Sequence, residues 1–440
     1  MDCIASVRGF RIWDSRGRPT VEVEVALDNG VIGRGIAPAG ASRGSNEAVD
    51  LRDGGAAYGG YGVDRALANV DGEIAATLEG RDPVDQADCD GALLRLDPSP
   101  TKARLGGNAV VATSMAILDA AARSRGVPVW KLLAGDAAIE MPLPQIQIFG
   151  GGAHAGRRVD IQDFLVMPIG ASSFDEAMVM AADVYRVAGD EMERRNRRHG
   201  VADEGGWWPD FDSNEQALGV LAAAIDRAGY RNGEVMICLD IAASEFGRRG
   251  RYRLGLGDAE YDTAGWLEQL TAWIRRYPVI SVEDPVAEDD DDGMRQFTRE
   301  MGDSIQVIGD DFLVTNAERV RHAAANGCCN AVLLKPNQAG TVTETRAALD
   351  SARTLGWGTV VSARSGETED VLITHLAIGW NAGQLKVGSF ARSERMAKWN
   401  EALRIERRGV QVARYAGARA LPVRRLRDGL DPAVPAAGDR

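Results

Sequence analysis

The 440-residue chain is poor in features that would mark a membrane or nucleic-acid-binding protein. No stretch reaches the roughly 18 consecutive apolar residues that a membrane span needs. The net charge of -13 argues against a protein that coats nucleic acid or an anionic membrane surface. A local basic site for an anionic substrate remains compatible with that charge.

Cysteine is also scarce. The five cysteines lack the spacing of metal-ligand pairs, and an odd number cannot all form disulfides. Cys328 and Cys329 precede an apolar run, where we expect small buried thiols. The amino terminus has no basic region followed by an apolar stretch, so no signal peptide is expected. We therefore expect a cytoplasmic protein.

Lysine is the rarest of the common charged residues. Only five of the 51 basic residues are lysine, and the others are arginine. Arginine cannot be deprotonated in a protein, so a lysine that remains hints at ammonium chemistry. The five are Lys102, Lys131, Lys335, Lys386 and Lys398.

What is present is an ordinary globular composition, with 45% apolar and 26% charged residues. The length suggests about two or three domains. In the first ~140 residues, 20–27 alternate as a half-buried strand, Asp-Asn-Gly at 28–30 predicts a hairpin turn, and 108–124 has helical periodicity. The proline-spaced stretch 141–146 marks a plausible domain boundary.

From about residue 145, short apolar runs end in polar residues, and most are followed by helix-like segments. This rhythm indicates strand-plus-helix units with a parallel sheet, and their number favours a closed α/β barrel over an open sheet. Catalytic groups of such barrels lie at the carboxyl ends of the strands. The runs are 161–168, 234–240, 277–284, 305–311, 330–335, 358–365 and 384–388.

Three acids, Asp240, Glu283 and Asp310, stand at those strand ends. Each alone is more simply explained as a solvated loop carboxylate or a helix N-cap. Together, on successive strands, they would converge on one point, where like charges need a cation. Carboxylate oxygens favour Mg²⁺ over zinc, so the sequence predicts a magnesium site.

The next strand ends carry bases: Lys335, then Arg364 with Ser365, and finally Lys386. A desolvated lysine beside other cations has a lowered pKa and can act as a base. The alternative is that these lysines only extend their ammonium groups to solvent from a strand end.

Motifs along the chain now become recognisable. They resemble those of the enolase family, in one order and almost without gaps from about Arg8 to about Arg408. The matching segments are DSRGRPTVEVEV (14–25), RLGGNAVVATSMA (104–116), GGAHAG (151–156), DEGG (203–206), SEF (244–246), EDP (283–285), GDD (309–311), LLKPNQAGT (333–341), SGETED (365–370) and ARSER (391–395).

The resemblance implies an α/β protein: an N-terminal α+β capping and dimerisation domain (1–140), then a modified (β/α)8 TIM-type barrel (141–410). Residues 411–440 fall outside it and are expected to be a loose tail. The resemblance also implies a homodimer, a small phosphorylated three-carbon acid as substrate, and two Mg²⁺ ions per site, the second arriving with substrate.

Site roles are implied in the same way. Lys335 matches the base that removes the C2 proton, Lys386 the lysine that stabilises the enolate, and Glu204 the acid that helps the C3 hydroxyl leave. Substrate and metal residues are matched as follows: Asp240, Glu283 and Asp310 for the first metal, Ser42 on a mobile loop for the second, and His154, Asp163, Arg364, Ser365 and Lys386 for the substrate. A Lys or His base with Mg²⁺ is the known pattern of this superfamily rather than a deduction from these residues.

Several positions depart from the family pattern. Ala363 replaces a histidine, Asp163 a glutamate, Ala39 a serine, Arg43 a threonine and Ala339 an isoleucine. His→Ala, Glu→Asp and Ile→Ala all remove volume, while the metal acids and Lys335 are intact. We expect proton abstraction to survive, with handling of the departing hydroxyl in doubt and room for a bulkier second group.

Three functions follow from this pattern. The first is a divergent enolase that converts 2-phosphoglycerate into phosphoenolpyruvate. The second is the enolase-like carboxyphosphonoenolpyruvate synthase of phosphonate antibiotic pathways, which would use a second phosphonate substrate. The third is a non-catalytic relative with a binding or structural role, against which the retained acids and lysines count.

Overall fold

The computed structural model of the chain describes residues 2–231, 233–409 and 412–423. Its amino-terminal part is a three-stranded antiparallel sheet covered by helices, with a short 3₁₀ turn at Ala57–Gly60 and a π-helical turn at Val70–Ile74. The elements are β1 (Ile4–Trp13), β2 (Pro19–Leu27), β3 (Ile32–Ile36), α1 (Asp64–Asn69), α2 (Ala75–Leu78), α3 (Gln86–Leu96), α4 (Gly107–Ser124) and α5 (Val129–Ala134).

The alternating sequence of β2 produces a sheet with one buried face. Val21, Val23 and Val25 are fully buried, whereas the glutamates between them are partly exposed. β2 pairs with both neighbours, and the predicted hairpin turn joins it to β3. Helix α4 packs directly on β3. Glycine at position 33 permits this close approach, since a Cβ there would lie 2.2 Å from the backbone nitrogen of Ala120.

The second part begins at residue 139. Its strands are β4 (Ile139–Met141), β5 (Leu143–Gly150), β6 (Asp163–Met167), β7 (Met236–Asp240), β8 (Gly247–Arg248), β9 (Arg251–Arg253), β10 (Glu260–Asp262), β11 (Val279–Glu283), β12 (Gln306–Gly309), β13 (Ala331–Leu334), β14 (Gly358–Ser362), β15 (Gly383–Gly388) and β16 (Val412–Tyr415). Its helices are α6 (Phe174–Arg194), α7 (Asn214–Arg227), α8 (Thr263–Arg276), α9 (Asp291–Met301), α10 (Ala317–Ala325), α11 (Pro336–Ala339), α12 (Val342–Thr354), α13 (Leu372–Gly379) and α14 (Ser393–Arg408).

Eight of these strands close into a barrel in the order β5, β6, β7, β11, β12, β13, β14, β15, which confirms the predicted barrel. The expectation of an all-parallel sheet is wrong for β6, which runs antiparallel to both neighbours. The reason is the connection 151–162, which contains only a 3₁₀ turn, at Gly152–Ala155, and no helix that could return the chain for a parallel pairing.

Side-chain caps fix the start of most barrel helices. In each case a polar side chain accepts a hydrogen bond from a backbone N–H of the first helical turn, which would otherwise lack a partner. The capping residues are Ser173, Ser213, Asp262, Asp290, Asn316 and Thr341.

The described end of the chain differs from the expected loose tail. Strand β16 pairs in parallel with β4, and Tyr415, Leu421 and Val423 are buried against the barrel. Their apolar side chains explain the packing. Residue 411 and residues 424–440 of the predicted tail lie outside the described residues. Among the helices that are described, none combines the length and the apolar character needed to cross a membrane.

The amino-terminal domain is tied to the barrel near its mouth. Buried Asp90 on α3 accepts hydrogen bonds from the backbone and hydroxyl of Thr343 at the start of α12. The turn after β1 and the segment after β3 reach the loop after β14, where Ala39 pairs with Gly366 and Ser15 bonds to Glu367. The segment 38–47, called the lid below, therefore lies against the mouth of the barrel.

Candidate active site

The predicted acids meet at one end of the barrel. Asp240 and Glu283 are the last residues of neighbouring strands β7 and β11 and stand opposite each other in the register. Asp310 follows β12, and all three are buried. The strand ends therefore concentrate negative charge as the sequence predicts.

Lys386 on β15 lies between the first two acids. Its Nζ is 2.8 Å from both Asp240 Oδ2 and Glu283 Oε2 and 3.7 Å from Asp163 Oδ2. Burial opposes the charged form, but the carboxylates outweigh it and raise the pKa of Lys386 well above its usual value. The ammonium group thus neutralises part of the acid cluster.

Lys335 makes a matching contact with the third acid. Its Nζ lies 2.5 Å from Asp310 Oδ2, and its backbone N–H donates to Thr315 Oγ1. Burial works against the ammonium form, yet Asp310 raises the pKa of Lys335 overall, so the expected lowering of a lysine pKa is wrong for both Lys335 and Lys386. Both predicted lysines therefore face the predicted metal acids from inside the barrel.

The site retains oxygen atoms suited to a cation. Glu283 Oε1, Asp163 Oδ2 and Gln162 Oε1 are buried with no hydrogen-bond partner among the described residues. Burial, with Asp240 as the next cause, raises the pKa of Glu283 well above its usual value. Unpartnered hard oxygens beside crowded carboxylates fit a divalent cation.

A second acid group adjoins the first. Ligand oxygens of Asp284, Asp310 and Asp311 lie within 4.8 Å of one another. Burial and the charge of Asp310 raise the pKa of Asp284 to about 8. Its two oxygens accept the backbone N–H groups of Asp310 and Asp311 at 2.9 and 2.7 Å, so it also fixes the loop that carries Asp310.

His154, Asp163 and Glu204 form a third buried group, again with ligand atoms within 4.8 Å. His154 Nδ1 lies 2.9 Å from Asp163 Oδ1, and its Nε2 lies 2.9 Å from Ser365 Oγ. Burial alone would lower the pKa of His154, but Asp163 and Glu204 outweigh it and raise the pKa to about 9. Because β6 is antiparallel, its first residue, Asp163, reaches the catalytic end.

Glu204 lies 3.7 Å from His154 Nε2 and 3.9 Å from Arg395 Nη1. Burial favours its protonated form, but His154, Arg395, Lys386 and Lys335 together lower its pKa. The predicted acid is therefore held as a carboxylate by its cationic neighbours.

Arg364 is buried under the lid, and its guanidinium donates to Glu47, Asn337 and the carbonyl oxygen of Ser42. The structure thus places Ser42 against Arg364 through its backbone. Ser365 Oγ accepts the backbone N–H of Ala41 at 3.1 Å, so the second predicted phosphate residue also contacts the lid.

The departures from the family pattern lie around this site. Ala363 is buried beside Arg364, and its N–H donates to the Lys386 carbonyl. Arg43 pairs with Asp50 on its own segment at 3.0 Å. Ala339 lines a cavity of about 380 Å³ between the two domains, together with Lys102 and Gln338. Residues of the acid cluster do not line this cavity.

Sequence reasoning missed several residues that support the site. Glu47, Gln147, Gln162, Asp284, Asn337 and Gln338 all hydrogen-bond to predicted site residues. Asp284, Asn337 and Gln338 stand inside the motifs named above, so closer attention to polar motif positions could have found them. Glu47 gave no such signal, because its role depends on how the lid folds over the barrel.

Comparisons with known proteins agree with this architecture. Residues 4–133 match the family model described as the enolase N-terminal domain, and 138–423 match the enolase C-terminal TIM barrel domain. The chain is 47% identical to Enolase 1 of Desulfitobacterium hafniense (strain Y51) over 416 residues, which cover 94% of this chain and 95% of that protein. It is 45% identical to the enolase of Acidothermus cellulolyticus over 424 residues, 96% of this chain and 98% of that protein. With the barrel, the acids and the lysines in place, these matches show that the chain belongs to the enolase family.

Proposed function

We propose that the protein is a Mg²⁺-dependent hydro-lyase that converts 2-phosphoglycerate into phosphoenolpyruvate and water. The observation that carries this proposal is the meeting of Asp240, Glu283 and Asp310 with Lys335 and Lys386 at the barrel mouth. The near full-length similarity to two enolases supports the same reaction.

In this proposal the C2–H bond breaks and its proton passes to the neutral form of Lys335, which must first lose the proton that Asp310 favours. The C3–O bond then breaks, and the hydroxyl group leaves as water after taking a proton from Glu204. Lys386 offsets the charge that develops on the substrate carboxylate, an interaction that accelerates the reaction only if it strengthens in the transition state. Arg364 and Ser365 hold the phosphate, with His154 and Asp163 alongside.

The metal would be held by Asp240, Glu283 and Asp310, and a second by the lid at Ser42. When bound, Mg²⁺ supplies positive charge that stabilises the substrate carboxylate as it gains negative charge. The unpartnered oxygen of Glu283 supports this assignment.

Proton delivery by Glu204 requires that it first gains a proton, because its cationic neighbours lower its pKa. His154 is protonated near neutral pH and lies 3.7 Å away. Because the pKa of His154 is raised and that of Glu204 is lowered, transfer between them is unfavourable, so in this proposal Glu204 gains its proton from solvent.

The test is turnover of 2-phosphoglycerate with Mg²⁺, followed by phosphoenolpyruvate absorbance and by solvent deuterium exchange at C2 in one sample. We expect both signals. Failure of both signals, together with an absence of Mg²⁺ binding by calorimetry, would contradict the proposal and favour a non-catalytic role.

A second candidate is carboxyphosphonoenolpyruvate formation with a second phosphonate substrate. The methyl side chain of Ala363, next to Arg364, favours it, because this position has no group that could assist a departing hydroxyl. This candidate predicts exchange at C2 with little phosphoenolpyruvate until a phosphonoformate donor is added. Phosphoenolpyruvate formation without such a donor would exclude it.

We further propose a homodimer and a cytoplasmic location. The edge strand β1 exposes Phe10 on one face and Trp13 on the other, and Trp13 contacts exposed Tyr58 at 5.7 Å between ring centroids. Exposed apolar side chains on an edge strand are suited to contact with a second copy of the chain. Buried thiols at Cys89, Cys238, Cys328 and Cys329 are compatible with a reducing compartment.

A further inference from the structure

The guanidinium of Arg364, the proposed phosphate ligand, donates four hydrogen bonds, three of them to residues of the lid. Its Nη1 donates to Glu47 Oε2 at 3.0 Å and to Asn337 Oδ1 at 3.1 Å. Its Nη2 donates to Glu47 Oε1 at 3.2 Å and to the Ser42 carbonyl at 3.0 Å. The orientation of the guanidinium is therefore set largely by two lid residues.

Glu47 is the charged partner in this arrangement. It contacts Arg364 with both oxygens, the geometry in which an arginine–carboxylate pair is strongest and most directional. Both side chains are less than a tenth exposed. A buried arginine without a counter-ion is costly, so removal of the carboxylate would change the position of the guanidinium or admit water around it.

Glu47 is itself fixed from two sides. The Gly44 N–H donates to Glu47 Oε1 at 3.0 Å, which closes a tight turn in the lid. Gln338 Nε2 donates to the same oxygen at 3.2 Å and to Asp310 Oδ1 at 2.8 Å. The Gln338 carbonyl also accepts the N–H of Ala48, the residue directly after the lid. One amide thus connects the lid carboxylate to a carboxylate of the acid cluster.

From these contacts we propose that Glu47 is a positioning residue, which seats the lid and aims Arg364 at the substrate phosphate. The inference rests on the proposed function for the identity of the phosphate. Loss of the Glu47 carboxylate would have two opposite effects on phosphate affinity. Coulomb attraction alone would bind phosphate more tightly after loss of the Glu47 charge, whereas loss of positioning would bind it more weakly.

The first test is calorimetric titration of inorganic phosphate into the wild type and Glu47→Gln. We expect at least a tenfold weaker affinity for Glu47→Gln, with partial recovery in Glu47→Asp. The matched control is Glu24→Gln, which removes the carboxylate from another arginine pair, 2.8 Å from Arg34 and outside the site. Its phosphate affinity should equal that of the wild type.

The second test follows the lid without phosphate or turnover. Arg43 is partly exposed within the lid, so the rate of tryptic cleavage after Arg43, measured by mass spectrometry, reports lid release. Glu47→Gln should be cut at least several-fold faster than the wild type, whereas Glu24→Gln should not.

The outcomes separate this inference from the proposed function, because neither readout needs 2-phosphoglycerate turnover. Equal or tighter phosphate binding by Glu47→Gln would overturn the positioning role, as would unchanged cleavage after Arg43. If the wild type itself bound no phosphate, Arg364 would not be a phosphate ligand and the inference would fall with it. An enzyme that passes both tests but does not dehydrate 2-phosphoglycerate would leave Glu47 in its role and contradict only the reaction.

Discussion

At the scale of single residues, the site consists of acids and bases that are buried in contact with each other. The residue types at the strand ends could be predicted from sequence, because each follows a strand whose end is marked by an apolar run. Which acid contacts which base could not be predicted from sequence. Whether Lys335 would meet Asp310 or Glu283 depends on the positions of strands within a closed barrel, which local sequence does not specify.

The first prediction concerns Lys335. Lys335→Met should reduce solvent exchange at C2 of 2-phosphoglycerate by about 10²–10⁴-fold, the usual contribution of a positioned base. Exchange is measured by proton NMR in deuterium oxide. The control is Lys131→Met on α5, a lysine whose Nζ donates to the Gly135 carbonyl and is not among the proposed site residues. Equal exchange in the two variants would assign the base elsewhere.

The second prediction concerns His154 and pH. Its pKa in the folded protein is raised to about 9, above the ordinary value near 6.5, so protonation stabilises the fold. This contribution is fully present below pH ~6.5 and is lost as the pH rises through about 9. We expect the free energy of unfolding to fall between those values, and His154→Gln to flatten this fall. Urea titrations at pH 6, 7.5 and 9 measure the free energy of unfolding of both proteins. The same dependence on pH in the wild type and in His154→Gln would contradict a raised pKa of His154.

At the scale of elements, helices and strands with a clear periodicity were predictable. Strand β2 and helix α4 are examples, since their buried faces repeat at the expected spacing. The direction of β6 could not be predicted. Its residues DFLVM are all buried, so their pattern is the same whether the strand is parallel or antiparallel to its neighbours. Only the length and content of the connection before it determine the outcome, and glycine-rich loops leave little pattern.

The third prediction concerns strand β16. Deletion of residues 412–440 removes the buried side chains of Tyr415, Leu421 and Val423 and should lower the free energy of unfolding by at least about 3 kcal/mol. Deletion of 424–440, which keeps β16 and these three side chains, is the matched comparison. Thermal denaturation of both truncated proteins compares them. Equal melting temperatures would show that β16 does not stabilise the barrel.

At the scale of the whole molecule, the division into two domains could be anticipated from the change of rhythm near residue 140. Their mutual arrangement could not, because contacts such as Asp90 with Thr343 join residues far apart in sequence. The lid shows the same limit. Glu47 acquires its role only when the amino-terminal domain lies against the barrel mouth.

The fourth prediction concerns assembly. Trp13→Asp places a charge at an exposed apolar position of the edge strand β1 and should shift the proposed dimer towards monomer by at least tenfold in dissociation constant. Sedimentation velocity measures the shift. Leu355→Asp, at another exposed apolar position, is the control and should leave the dimer intact. A monomeric wild type, or an unaffected Trp13→Asp dimer, would contradict this interface.

The reversed direction of β6 has a consequence for how the chain acquires its native structure. β5 and β6 pair as an antiparallel hairpin, with Gly150 opposite Asp163. Contacts of such short sequence separation form early, because little chain entropy is lost in closing them. His154 and Asp163 can thus be brought together while the later strands are still being synthesised. Lys386, by contrast, must await closure of the barrel. The catalytic constellation is therefore expected to assemble in two stages, a local one and a late one.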